Sequence, residues 1–306
     1  MTNWREISKE AAFVSHRLIG WIYWDPDAIN AYTKLGIPDG FGYYVTSRAG
    51  LLGKAGSDSV SAAYYSIHPG FVHASYKLLN EHAGVEDAIK VRDAAVSNGL
   101  KKYAPDICEE LASMNEVLWD AAKSLPISGR VLYAAQLGHR RLDDPLIDAW
   151  LAVNCIREWR GDTHWAMLIA EGITGVQAGI LDGARRSYEE DWLPRSRGAD
   201  DETISTAYAD LEKRGLAREQ TVNQSGIAYR QSLEDKLDDT SSLAWRHLGE
   251  TFSKNFIGLI NKVGDTLLGR IDETGGTKWM PAARRCLLYT SPSPRDISGS
   301  RMPSSA

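Results

Sequence analysis

Residues 145–172 read PLIDAWLAVNCIREWRGDTHWAMLIAEG. Leu146, Trp150, Val153 and Ile156 recur at three- and four-residue steps, the period of a helix with a buried face. Pro145 suits a first turn, where the missing N–H costs nothing, and Gly172 suits a C-terminal cap. The stretch predicts one long buried helix, and a chain built round it is a helical one. Inside sits a polar insert, in which Arg157, Arg160 and His164 fall three, then four residues apart and stack on one face. Gly161 costs about 1 kcal/mol relative to alanine in a helix interior. Two readings of the insert stand side by side. Its side chains pair with each other and with carboxylates on neighbouring helices, as buried polar groups usually do. Alternatively they line a pocket for an anionic or carbonyl-bearing small molecule, which the planar fork of an arginine suits.

The 306 residues are 43% hydrophobic and 25% charged, ordinary globular values that allow one large core or two domains. A formal charge of -5 lacks the basic excess of a typical nucleic-acid binder. Cys108, Cys155 and Cys286 have no metal-ligand spacing, and an odd, scattered set fits a reducing cytosol. The N-terminus has no apolar core segment and no run of about 18 apolar residues occurs, so neither a signal peptide nor a membrane span is expected. Localisation therefore reads as cytoplasmic.

Outward from the central helix the rest reads as helical too. Residues 4–24 place Ile7, Ala11, Val14, Leu18 and Ile22 on one face, with His16 on the same helix. Asp25-Pro26 reads as a cap and first turn of a helix ending near Gly36. Residues 41–54 are aromatic and then glycine-rich, without the spacing or the lysine–hydroxyl pair of a phosphate-cradling loop. Arg48 is the charge to note there. Residues 57–82 predict two short helices around His68-Pro69-Gly70, where Tyr64, Tyr65, His68, His73 and Tyr76 gather rings with polar tips. No further ligand stands at a telling spacing from His68 and His73, so no metal is expected. Residues 85–125 predict two amphipathic helices broken near Pro105, residues 129–139 a short one, and residues 173–188 another.

After residue 194 the composition shifts. RSRGADD at 195–201 reads as a linker. Thr203 to Lys213 predicts an amphipathic helix, Arg214-Gly215-Leu216 stops it, and residues 217–224 form a short ribbon. A helix from Ile227 to Asp238 follows, then a last one over 251–268. Helix, stop, ribbon, helix is the order of a winged helix-turn-helix module. The fold class expected is mainly α: an N-terminal helical bundle plus a C-terminal winged helix-turn-helix module with a short β-ribbon. The domains expected are 1–194, all-helical and ligand-binding; 195–272, winged-helix-like; and 273–306, a disordered tail. Its last part, 286–306, is Ser/Pro-rich and reads as non-native adapter- or vector-derived sequence.

Several segments together resemble a known family. They are YYVTSRAGLLG, AAYYSIHPGFV, GRVLYAAQ, the 143–181 stretch and LEKRGLAREQTVNQSGIAYRQSLEDKLD. They look like an uncharacterised family common in actinobacteria, helix-turn-helix-containing, with a MarR-like winged helix behind an all-helical N-terminal region. The likeness runs from residue 13 to 270, and its most specific piece is Arg160-Gly161-Asp162-Thr163-His164. The family usually has glycine where this chain has Thr163, and proline where it has Leu51. Neither difference removes a polar side chain. The resemblance implies the fold and its extent; function must be argued from the site.

Two functions are weighed. One is a ligand-responsive winged-helix transcriptional regulator, with Lys213, Arg214, Arg218 and Arg230 as the cations to meet DNA. Asp200, Asp201, Glu202, Asp210, Glu212 and Glu219 count against that, because they repel phosphates. The other is a small-molecule-binding protein or enzyme of specialised metabolism whose winged helix is structural. In both, the ligand site gathers His16, Arg48, Tyr64, His68, Arg157, Arg160, Asp162 and His164. Arg157 or Arg160 would hold an anionic group, His164 would serve as acid or base, and Asp162 would orient an imidazole. No nucleophile stands beside a base, so no reaction is assigned, and no haem-attachment or other cofactor motif is present. The partners expected are a small-molecule ligand, DNA and a second copy of the chain, with no membrane.

Overall fold

The computed structural model describes residues 1–285. The adapter-like segment from Cys286 onward lies outside the described residues.

Asp144 accepts from the N–H of Leu146 at 3.0 Å, Pro145 occupies the first turn, and the predicted central helix runs Pro145–Ala170. It ends on Gly172 at φ +65°. This helix is α10 in chain order. Before it come α1 (Trp4–Gly20), α2 (Pro26–Thr33), α3 (Tyr43–Ala49), α4 (Ser57–Ala63), α5 (Pro69–His82), α6 (Val85–Tyr103), α7 (Pro105–Ser113), α8 (Asn115–Ser124) and α9 (Val131–Leu137). After it come α11 (Gly175–Arg185), α12 (Trp192–Ser196), α13 (Asp201–Lys213), a ribbon of β1 (Ala217–Arg218) and β2 (Thr221–Val222), α14 (Gln224–Leu248), α15 (Glu250–Asn261) and α16 (Gly264–Thr274). The fold is mainly α with one short antiparallel ribbon, as the sequence predicts.

α10 is buried nearly all round over its first four turns, as expected of a helix with apolar residues on every side. α7, α8 and α9 pack against it, and so do α1 and α14. The tips of its tryptophans are satisfied: Trp150 donates to Leu18 O at 3.0 Å, and Trp159 to Pro126 O at 2.8 Å. One large core holds α1, α6–α8, the first turns of α10, the end of α14, α15 and α16. A second core joins the last turns of α10 to α11, α13, the ribbon and the start of α14 through Leu168, Ile180, Leu181, Leu211, Val222 and Leu233.

Three elements differ from the prediction. The helix expected over 227–238 is α14, twice as long. Asp238-Asp239-Thr240-Ser241-Ser242 lacks apolar residues, but Leu237, Ala244 and Trp245 continue the buried stripe across it, and Gly249 at φ +82° ends it. The single helix expected over 105–125 turns at Met114, which lets Asn115 and Trp119 both bond Asp148 of α10. Residues 195–201 form no long linker, since α12 occupies their start and α13 begins at Asp201. Past α16, Arg17 of α1 donates to Ala283 O at 2.9 Å, and Arg285 pairs with Glu10 at 2.7 Å.

A candidate ligand site in an arginine network

The polar insert of α10 faces two sets of charges. In the first, α3 presents Arg48 to Glu158, its Nε and Nη2 donating to both carboxylate oxygens at 2.9 and 2.7 Å. Arg157 reaches Glu158 Oε1 at 3.0 Å. Glu158 is fully buried. Burial pushes its carboxyl up, but Arg157 and Arg48 outweigh that and hold it at about 2. The Arg48 guanidinium lies 4.9 Å from the Tyr44 ring and 5.1 Å from that of Tyr64, whose hydroxyl is tied to Val45 O.

In the second set, Arg160 meets two residues of α14, Glu234 at 2.7 Å and Asp238 at 2.8 Å. Arg230, one turn before Glu234, pairs with it at 2.8 Å and with Asp182 of α11 at 3.1 Å. Arg185 and Arg186 hold Asp182 as well, at 3.1 and 2.7 Å. Burial opposes ionisation of Glu234 and Asp182, yet the arginines keep both well below the usual carboxylate range. Asp238 has only a shared arginine, and burial raises it to about 6. Seven guanidiniums, counting Arg197, thus gather around four carboxylates. Buried charge of one sign is expensive unless it is paired, so the excess calls for an anion.

Two imidazoles complete the arrangement. The Nδ1 of His16 lies 2.7 Å from Ala12 O, and an acceptor there means that Nδ1 carries the hydrogen. Burial first and Arg157 second hold His16 at about 3. His164 stacks on Trp165, its Nε2 has no partner among the described residues, and burial with Arg230 nearby also brings it to about 3. Both rings are neutral at neutral pH. The acid–base role expected for His164 fails on that ground, since a group at about 3 neither gives nor takes protons efficiently near pH 7.

Of the eight expected ligand-site residues, the two sets contain Arg48, Tyr64, Arg157, Arg160 and His164, and His16 is close enough to feel Arg157, Arg160 and Glu234. Two stand apart. His68 is exposed and caps α5, its Nδ1 accepting from the N–H of Gly70 at 3.1 Å. Asp162 orients no imidazole; it accepts from the N–H of Tyr133 at 2.9 Å, in the first turn of α9. Burial raises Asp162 to about 7. Gly161 is not required by crowding, because a Cβ there would meet Glu158 Oε2 at an ordinary 3.7 Å. The residues missed were Tyr44, Asp182, Arg185, Arg186 and Arg197. Asp182 and Arg186 stand four apart on α11, a pairing signal visible in the sequence; Arg197 follows a proline-containing helix and gives no periodic signal.

The other candidate surface is α13 with the ribbon. α11, α12 and α13 precede the β1–β2 hairpin, whose register pairs Ala217 with Val222 and Arg218 with Thr221. The outer face of α13 shows Asp201, Glu202, Thr203, Ser205, Thr206, Glu212 and Lys213. Lys213 pairs with Asp210 at 3.0 Å and Arg218 sits 3.5 Å from Glu219. Arg214 donates to the carbonyls of Glu171 and Gly172 at the end of α10. Arg230, expected among the DNA contacts, is buried in the ion pairs above and does not reach this surface.

A helical body that ends in three short helices, a two-stranded hairpin and a long closing helix has the architecture of a helix-turn-helix protein. The chain matches a helix-turn-helix family over residues 8–272, nearly its whole length, and belongs to that family. No curated protein and no solved structure matches it. Among the described residues no helix is long and apolar enough to cross a membrane, and no group of histidine, cysteine and acidic side chains is arranged to hold a metal.

Proposed function

We propose that the chain is a ligand-responsive transcriptional regulator of the MarR-like winged-helix kind, in which the arginine network senses a small molecule and α13 with the ribbon reads duplex DNA, as a homodimer. Membership of a helix-turn-helix family supports the DNA role. The observation that carries the sensing role is the course of α14. It starts two residues after β2, passes Arg230, Glu234 and Asp238 through the network, and ends in the main core. A ligand that re-pairs Arg160 or Arg230 therefore acts on the same rigid helix that supports the hairpin. To shift the reader it must bind its two arrangements with different affinity. The test is a titration of labelled duplex with the whole chain across a salt series. Binding at low salt that weakens steeply as salt rises is expected, because phosphate contacts release counterions. No binding at the lowest salt overturns the regulator reading.

One observation favours a second reading, a small-molecule-binding protein or enzyme whose helix-turn-helix unit serves packing alone. The outer face of α13 and the hairpin carry more carboxylates than free cations. The same titration decides between the two readings.

A further inference from the structure

We infer that the space bounded by Arg48, Arg157 and Arg197 seats the anionic group of the ligand, and that this ligand is an aromatic acid, a flat ring system carrying a carboxylate. The inference rests on the sensor reading above and supplies its chemistry.

Three guanidiniums meet one carboxylate here. Arg48 and Arg157 share Glu158. Arg197, just past α12, lies within electrostatic reach of Arg48 and donates to Ser66 Oγ at 2.8 Å. Among the described residues Arg197 has no carboxylate within ion-pair distance. Asp182, whose charge also reaches it, is already held by Arg185, Arg186 and Arg230. Ionisation of Asp162, which feels both Glu158 and Arg48, reduces the excess positive charge without cancelling it. A guanidinium does not shed its proton in a protein, so the excess is neutralised by an anion from outside. Donors for that anion are in place. The Nε of Arg157, a residue more than nine-tenths buried, has no partner among the described residues, and neither has the hydroxyl of buried Tyr23, whose ring lies 5.9 Å from the Arg157 guanidinium.

The adjoining walls are rings. Tyr44, which packs on Arg48, lies 5.3 Å from Tyr23 and 5.3 Å from Trp24. Trp24 lies 5.5 Å from Trp279, and Trp279 lies 5.4 Å from Trp192. Tyr44, Trp24, Trp192 and Trp279 all keep part of their surface open to solvent. Open rings leading to unpaired guanidinium donors fit a flat aromatic body with an acidic end, through offset or edge-to-face stacking and a forked hydrogen bond. A small inorganic anion would leave those rings in water.

The experiment is calorimetric titration of the whole chain with 2-naphthoate, with its uncharged counterpart 2-naphthamide, and with sulfate. Naphthoate is expected to bind at least tenfold more tightly than the amide. Arg197→Gln is expected to abolish that preference and Arg197→Lys to retain part of it, with the ligand-free melting temperature held or raised because an unpaired charge is gone. Equal affinity for acid and amide, or no binding of naphthoate, overturns the proposal on the unaltered protein, whatever the variants do. A preference that survives Arg197→Gln overturns the seat, and sulfate bound as tightly as naphthoate overturns the aromatic part. A chain that binds naphthoate but no duplex keeps this assignment and loses the regulator reading, so the two failures are distinct.

Discussion

Asp162 and His164 stand two residues apart on α10, and burial moves their protons in opposite senses. Asp162 is raised to about 7 while an unfolded aspartate titrates near 4, so between those values the folded chain binds a proton that the unfolded chain has lost. Stability from this group is therefore present at low pH and lost as pH rises toward 7, at a cost that linkage bounds at about 4 kcal/mol. The hydrogen bond Asp162 makes is one that an amide oxygen also accepts, from the N–H of Tyr133. Asp162→Asn is expected to be more stable than the parent at pH 8 and to lose that advantage near pH 4.5. Urea midpoints at the two pH values check this, and an advantage that does not change with pH would refute it.

The hairpin is the element whose local chemistry is least settled. Its turn residues, Glu219 and Gln220, both have positive φ, 53° and 55°. Two-residue hairpin loops of that kind favour Asn-Gly, because side chains other than Asn, Asp and Gly resist the left-handed region. Gln220→Gly is expected to raise stability by about 0.5–1 kcal/mol, read as a higher melting temperature; a loss would mean that the Gln220 N–H to Glu212 contact fixes the turn more than the backbone strain opposes it. The same scale shows what the sequence made legible. The periodic apolar stripe found α10, α13 and the ribbon, and Asp25-Pro26 found the start of α2, its N-cap bonding Ala28 at 3.0 Å. The length of α14 was hidden, because Ser241 and Ser242 are buried in the stripe where apolar residues were expected. Half of the site was legible for a related reason. Arg157, Arg160 and His164 stack on one helix and show their spacing, whereas Asp182, Arg197 and Tyr44 come to them only through tertiary packing.

Across the whole molecule the buried ionisable groups offset one another above pH 5. His16 and His164, both at about 3, stay neutral in the fold while an unfolded histidine protonates below about 6.5, so each contributes stability that is lost as pH falls through that value. Asp162 at about 7 and Asp238 at about 6 run the other way, holding protons in the fold that the unfolded chain has released. Two groups against two leave little net proton uptake on unfolding between about pH 5.5 and 7. Below about 4.5 the balance ends, because unfolded Asp162 and Asp238 now bind protons as well. Glu158, Glu234 and Asp182, held low by their arginines, then add their own demand, since each contributes stability present above its unfolded pKa and lost beneath it. The free energy of unfolding is expected to vary by no more than about 1 kcal/mol from pH 5.5 to 8 and to fall steeply below about pH 4.5. Denaturant unfolding followed by circular dichroism at half-unit pH steps reads this directly. Asp162→Asn removes one opposing group, so its curve should tilt, falling from about pH 6.5 downward where the parent is flat. A parent curve that already falls between pH 7 and 5.5 would mean that the histidines are not matched by the carboxylates, and that the charges of α10 and α14 do not act as one network.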